Sequence, residues 1–409
     1  MDCPRPLSIH SPFPYPTATV KPTPPVPMAS IPTPAPSPPP STNGTTTTTA
    51  ATTITTTTTT AQDTLQPWIE SPLIYSAHMS RDAGCNIYLK LDNVQPSGSF
   101  KSRGIGNMML EAFLSAQTSA NTTTTTTHFL CSSGGNAGLA CATTSLSLPH
   151  SRATIVVPMS TSPFMIQKLK DVGAEVVQQG SSWIEADTYL REELLAKSEP
   201  GVKNVYVPPF DHPAIWRGVS SLVDEVVRQL PTGQQMNAVV CNVGGGGLVN
   251  GVCEGIYRHF TSNEEKVPKV IALETEGADS LYQSVQKGEL VTLDGITSLA
   301  TSLGARRVSE RTWQWFEQMK GDFVSGVVSD KQAAEACCRF LDEGRIMVEL
   351  SCGATLAGVY RDGGKWLREQ VGQGLTDEEW KSKNVVVIVC GGSNVSWEIL
   401  QGYKKTFGF

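Results

Sequence analysis

The stretch Ala238-Val239-Val240-Cys241-Asn242-Val243 runs straight into Gly244-Gly245-Gly246-Gly247-Leu248. An apolar run rich in valine reads as a buried strand, and the amphipathic residues 247–260 read as the helix that follows it. Four successive glycines between a strand and a helix let the backbone curl until its N–H groups converge on one anion. The loop fits neither G-x-x-x-x-G-K-[ST] nor G-x-G-x-x-G, since the sixth position is Val249 counted from Gly244 and Asn250 from Gly245. A nucleoside triphosphate and a dinucleotide are therefore not indicated, whereas a single phosphate monoester is. A flexible linker fits poorly between a strand and a helix.

The same alternation extends outward. Strands are expected at Ile87–Leu91, Phe129–Cys131, Thr154–Val157, Glu175–Val177, Val205–Val207, Val270–Leu273 and Asn384–Cys390. Helix-length amphipathic stretches separate most of them: 100–114, 136–147, 163–172, 182–197, 213–230, 330–343, 353–370 and 394–406. This pattern predicts an α/β fold of two lobes, each an open, mainly parallel sheet flanked by helices, with a cleft between them. The expected division is a larger domain from 65–91 with 209–409 and a smaller one from 92–208 carrying a Thr-rich loop at 121–127. Residues 1–64 are a Pro- and Thr-rich tail that cannot bury enough apolar area to offset its chain entropy, and disorder is expected there. Arg5 and Lys21 are its basic residues, too few for an ordinary transit peptide. A cytoplasmic location is expected, with mitochondrial targeting by the tail left open.

Composition narrows the classes. The net charge of −6 argues against general binding to a phosphate backbone, which needs a basic face. Val385–Cys390, among the longest apolar runs, falls far short of the ~18 residues of a membrane helix. The 10 cysteines show no Cys-x-x-Cys spacing, so a zinc site or a disulfide scaffold is disfavoured and buried, reduced thiols are expected.

Three more loops sit between a strand and a helix, where open α/β sheets bind ligands. In Pro96-Ser97-Gly98-Ser99-Phe100-Lys101-Ser102-Arg103-Gly104, Lys101 opens a helix. A desolvated lysine there has a depressed pKa and attacks carbonyls, although a lone lysine is more often a solvated surface residue. Ser132-Ser133-Gly134-Gly135-Asn136-Ala137-Gly138 offers hydroxyls, backbone N–H groups and an amide at a helix start. That set suits a carboxylate, and equally a plain helix cap. Val389-Cys390-Gly391-Gly392-Ser393-Asn394 ends an apolar strand on a thiol, ordinarily a buried structural cysteine. Together the four loops describe one site with a lysine, a phosphate, a carboxylate and a weakly polar thiol. Pyridoxal 5′-phosphate joined to Lys101 as a Schiff base accounts for all of them.

From about Leu65 onward the sequence resembles the tryptophan-synthase-β-like pyridoxal-phosphate enzymes, and within them the catabolic L-serine/L-threonine dehydratases of the liver type. The strings Gln95–Gly106, Cys131–Gly138, Thr154–Pro158, Tyr206–Trp216, Val243–Leu248 and Val387–Asn394 carry the resemblance. It implies a lyase of amino-acid catabolism, feeding gluconeogenesis, that converts L-serine to pyruvate and ammonia and L-threonine to 2-oxobutanoate and ammonia. It assigns catalysis to Lys101, with Phe100 and Asn136 against the cofactor ring, Gly244, Gly245, Gly246, Gly247 and Leu248 at the phosphate, and Cys390 at the pyridine nitrogen. Ser133, Gly134, Asn136 and Ala137 would surround the substrate carboxylate. A monovalent cation, K⁺, would take oxygens from Glu274, Ala278, Ser280, Leu303 and Ala305, with Gly244 a further donor; by itself Glu274 reads as a solvated strand-end carboxylate. A homodimer is implied, with no nucleic acid and no membrane. Gly134 departs from the alanine usual in the family, and the lost methyl is expected to loosen substrate preference or lower turnover. The chain ends shortly after Asn394, so an appended regulatory domain is not expected. A threonine-preferring dehydratase or a serine racemase of the same fold stands as the nearer alternative, and a non-catalytic pyridoxal-phosphate-binding paralogue as the more distant one.

Overall fold

The computed structural model describes residues 65–119, 125–260 and 266–409, so the expected disorder of the tail falls outside the described residues. Two sheets organise the rest. The larger runs β1 (Leu73–Tyr75), β2 (Asn86–Leu91), β10 (Asn384–Val389), β7 (Ala238–Asn242), β8 (Lys269–Thr275) and β9 (Phe323–Val328). Only β1 is antiparallel to its neighbour. Every residue of β7 and β10 is buried, which explains why both read as unbroken apolar runs rather than as alternating ones. The smaller sheet is all parallel, in the order β5 (Glu175–Gln178), β4 (Ser151–Val157), β3 (Thr126–Cys131), β6 (Val202–Tyr206).

Each sheet has its own apolar core. Ile87, Val240, Ile271 and Val387 belong to one, and Phe129, Ile155, Ile105 and Met109 to the other. The helix Pro213–Gln229 joins both: Ala214 and Ile215 pack into the smaller core, Val219, Leu222, Val223 and Val226 into the larger. All cysteines among the described residues are buried and unpaired, as their spacing implied.

Several expected boundaries move. The stretch 353–370 is two helices, Leu350–Tyr360 and Lys365–Val371, broken where Asp362, Gly363 and Gly364 all take positive φ. Glycine is required at the break: Gly364 has φ +82°, and a Cβ there would lie 2.4 Å from Ala83 Cα. The last helix starts at Trp397, not at 394, because Ser396 accepts the Ile399 N–H as its N-cap and frees Asn394 for the loop. The Thr-rich loop is shorter than expected, since Thr126 and Thr127 already pair in β3. Short elements without a strong periodic signal went unread: β1, β9, and the helices Ala77–Ala83, Ser280–Lys287, Glu310–Gln318 and Asp377–Lys381.

A buried charge network pins the start of the helix Lys101–Ser119. The Arg103 guanidinium, fully buried, donates to Asp92 (Nε–Oδ2 2.8 Å), to Glu225 (Nη1–Oε1 2.6 Å, Nη2–Oε2 2.7 Å) and to Ser71 Oγ (3.0 Å). Lys90 Nζ lies 2.6 Å from Glu225 Oε2. Burial alone would raise Asp92, but Arg103, with hydrogen bonds from Ser71 and Gln95, more than offsets it and holds the carboxyl below its usual range. Two cations and two carboxylates balance one another, so removing one leaves a buried charge unpaired. Arg103→Ala is expected to cost about 3–5 kcal/mol, read as a lower midpoint in urea unfolding; an unchanged midpoint would contradict this account.

Candidate active site

All four loops leave the carboxyl ends of strands. Because β10 lies between β2 and β7, its loop is flanked by the other two loops of the larger sheet. Backbone bonds tie the loops together. Phe100 N–H donates to Cys390 O (3.0 Å), and Gly392 N–H to Gly98 O (2.9 Å). From the smaller sheet, Asn136 Oδ1 accepts the Ser393 N–H (2.9 Å) and Lys168 Nζ donates to Ser393 O (2.5 Å).

Lys101 is the first residue of its helix. Its Nζ donates to Pro209 O (2.6 Å) and sits 5.1 Å from the centre of the Phe100 ring. It forms no ion pair among the described residues. Burial pulls its amine down to about 8, with Cys131, Glu349 and Cys390 opposing the shift. A lysine of that kind is a nucleophile and a base near neutral pH.

The tetraglycine turn follows β7 as expected. A Cβ on Gly245 would lie 2.3 Å from the Phe210 ring, and one on Gly246, where φ is +102°, 1.9 Å from Thr312 Oγ1. Only glycine fits this cradle. Its floor is built by Asn250, which donates to Ser309 Oγ (2.9 Å) and accepts from Thr312 Oγ1 (2.9 Å). Leu248 is buried in the helix behind.

In the Ser132–Asn136 loop, Ser133 Oγ accepts the Gly135 N–H (3.4 Å), and Asn136 and Ala137 begin the helix Asn136–Ser147. Gly134 has a steric reason beyond the missing methyl: a Cβ there would lie 2.8 Å from Thr161 Cγ2. Cys390, at the end of β10, is buried and accepts from Asn242 Nδ2 (3.1 Å). A hydrogen bond with Cys352, then burial, hold its thiol well above the usual range, so it stays neutral.

The Glu274 carboxylate is buried, not solvated. It accepts the N–H groups of Leu281 (2.9 Å) and Tyr282 (2.7 Å) at the start of the helix Ser280–Lys287, and burial pushes it up to about 8. Ser280 Oγ is buried without a hydrogen-bond partner, Ala278 and Leu303 are buried, and Leu303 abuts Gly244. Ala305 donates its N–H to Leu303 O (2.7 Å).

Sequence reading missed Glu349, Lys168 and the Pro209–Phe210 segment as individual contributors. Glu349 is a lone carboxylate before a helix, and only its fold neighbours reveal it: Asn136 Nδ2 donates to Oε1 (2.9 Å), Asn394 N–H to Oε2 (3.2 Å), and Ser351 Oγ also donates to Oε1.

Two outcomes follow from this geometry. In ligand-free protein, acylation of Lys101 followed by mass spectrometry should titrate near pH 8; a midpoint near 10.5 would show an exposed amine. At pH 7.5 about a quarter of Lys101 is then neutral, against about one in a thousand for free lysine. Gly134→Ala should lower stability by about 1–2 kcal/mol through overpacking. Adding Thr161→Ser, which deletes the opposing methyl, should restore the melting temperature.

The sequence pattern of the family described as pyridoxal-phosphate dependent enzyme matches residues 65–391. The chain is 42% identical over 342 residues to the human protein called serine dehydratase-like, covering 83% of this chain and 95% of that one. It is 40% identical to the L-serine dehydratase/L-threonine deaminase of Mus musculus, covering 85% and 98%. The crystal structure of a fungal L-serine ammonia-lyase from Rhizomucor miehei superposes with a TM-score of 0.72 at 32% identity, over 83% of this chain and 99% of that one. The chain therefore belongs to the pyridoxal-phosphate-dependent enzymes, in the family of the L-serine/L-threonine dehydratases.

Proposed function

We propose that this chain deaminates L-serine to pyruvate and ammonia, and L-threonine to 2-oxobutanoate and ammonia. The observation that carries the reading is the buried amine of Lys101, with no ion pair among the described residues, on a loop that adjoins those of a neutral thiol and a glycine cradle in the same sheet.

The residues present fit pyridoxal 5′-phosphate. Gly245 and Gly246 leave no room for side chains, Gly244 and Gly247 very little, and the four suit a phosphate. Leu248 continues the helix Gly247–Phe260, whose first N–H groups would hold that phosphate. Phe100 and Asn136 would hold the ring, and Cys390 suits an unprotonated pyridine nitrogen. When bound, the cofactor supplies the aldehyde and the electron sink that make the substrate Cα–H acidic.

The protein's own groups do the rest. Ser133, Gly134, Asn136 and Ala137 bind the substrate carboxylate at the start of the helix Asn136–Ser147, where the dipole favours an anion. Lys101 Nζ, whose neutral form burial favours, takes the Cα proton. Water leaves from Cβ, is regained when the released enamine hydrolyses, and ammonia departs. In this reading residues 65–91 with 209–409 supply the phosphate cradle and the thiol, and 92–208 supply Lys101, the ring contacts of Phe100 and Asn136, and the loop for the substrate carboxylate.

A monovalent cation, K⁺, completes the proposal. Glu274 and Ser280 would supply side-chain oxygens, and Ala278, Leu303 and Ala305 carbonyls. The support is the unpartnered Ser280 hydroxyl beside a buried carboxylate whose recorded partners are both backbone N–H groups. A homodimer in the cytoplasm belongs to the same reading, on the strength of the resemblance. Among the described residues no helix is long and apolar enough to cross a membrane.

The test is keto-acid release from L-serine, L-threonine and D-serine in K⁺ and in Na⁺. Purified enzyme should be yellow, release pyruvate from L-serine, and slow several-fold in Na⁺. Lys101→Ala should release none; retained pyruvate formation would refute the assignment, and colour without turnover would mark a binding protein.

A further inference from the structure

We propose that Glu349 is a positioning residue for the reaction, fixing which way the side-chain amide of Asn136 faces. The inference rests on the reading that Asn136 meets the cofactor ring.

An asparagine amide presents an oxygen on one side and two N–H groups on the other, and nothing in its shape favours one orientation. Here both sides are specified. Oδ1 accepts the Ser393 N–H at 2.9 Å, and one hydrogen of Nδ2 goes to Glu349 Oε1 at 2.9 Å. A flipped amide would set N–H against N–H at Ser393 and oxygen against carboxylate at Glu349. The second Nδ2 hydrogen has no acceptor among the described residues and is left for a ligand.

Glu349 is itself immobilised. It is 3% exposed, stands at the head of the helix Leu350–Tyr360, and accepts from Ser351 Oγ and the Asn394 N–H. Room for its carboxylate is made at Gly392, where φ is +113° and a Cβ would lie 2.0 Å from Glu349 Cδ. Asn136 belongs to the smaller sheet's helices, and Ser393 and Glu349 to the larger sheet's elements. The amide is therefore oriented by one lobe while anchored in the other.

The experiment is a double-mutant cycle on cofactor affinity. Apoenzymes of the wild type, Asn136→Ala, Glu349→Met and the double variant are titrated with pyridoxal 5′-phosphate and followed by absorbance. Each single variant should bind about tenfold more weakly, and the double variant no more weakly than Asn136→Ala. Glu349→Gln, whose oxygen still accepts from Asn136, should recover to within about threefold of the wild type. Losses that multiply to about a hundredfold would show Glu349 acting independently and overturn the proposal. Wild-type affinity in Glu349→Met would do the same. Wild-type affinity in Asn136→Ala would instead refute the cofactor contact on which the proposal rests. Should Glu349→Met fail to fold, a crystal structure of the wild-type holoenzyme decides: Asn136 Nδ2 bridging Glu349 and the ring supports the proposal, and a Glu349 carboxylate beyond hydrogen-bond reach overturns it.

Discussion

A lysine amine buried without an ion pair among the described residues is the constraint on which this molecule is built. Desolvation disfavours the ammonium, so the group gives up its proton near neutral pH instead of staying charged. That state is useful only if the amine stays put, and an unpaired lysine has four rotatable bonds with which to escape. The fold restrains it at both ends. Pro209 O holds the tip, and the backbone of the same helical turn is pinned by Arg103 two residues on. The strong ion pairs are thus spent beside the reactive group and not on it. A carboxylate placed on Lys101 itself would have restored the ammonium and removed the nucleophile.

The anchoring also explains how two sheets share one site. Arg103 grips Asp92 just after β2 and Glu225 on the helix Pro213–Gln229, and that helix feeds side chains into both apolar cores. The helix Lys101–Ser119 packs its Ile105 and Met109 in the smaller core, yet its first turn is fastened to the larger sheet.

What the sequence revealed and what it concealed divide along physical lines. Parallel strands covered on both faces are apolar at every position, so β7 and β10 were legible at once. Loops at their carboxyl ends carry glycine because side chains cannot fit, and the cradle at Gly245 and Gly246 could be read from composition alone. Lys101, Asn136 and Cys390 were found by their place after a strand. Edge elements were harder: β1 has three residues, and Ser325-Gly326 interrupts the apolar residues of β9. The break at Asp362–Gly364 carries a local sign, the pair Gly363-Gly364, but the neighbour that excludes a side chain at Gly364, the backbone of Ala83, lies far away in the chain. Glu349 was hidden for the same reason. Its partners come from positions 136, 351 and 394, and no local spacing announces that they meet.

The loop after β10 is the common reference for the whole site. Its backbone is held from one side by Gly98 and Phe100 and from the other by Asn136 and Lys168, while its thiol is held from below by Asn242. A substrate as small as an amino acid offers few handles, and a carboxylate, an amine and a Cα–H must be placed within fractions of an ångström of their partners. Side chains on separate flexible loops could not meet that tolerance. Tying the Gly98–Phe100 backbone and the Asn136 and Lys168 side chains to one short, glycine-bearing segment makes their relative positions a property of hydrogen bonds to a single stretch of backbone. The cluster of glycines at 391 and 392 follows from the same demand. So many neighbours converge there that Gly98 O and the Glu349 carboxylate occupy the space a Cβ would take. Crowding at that point is therefore the structural counterpart of precision at the lysine.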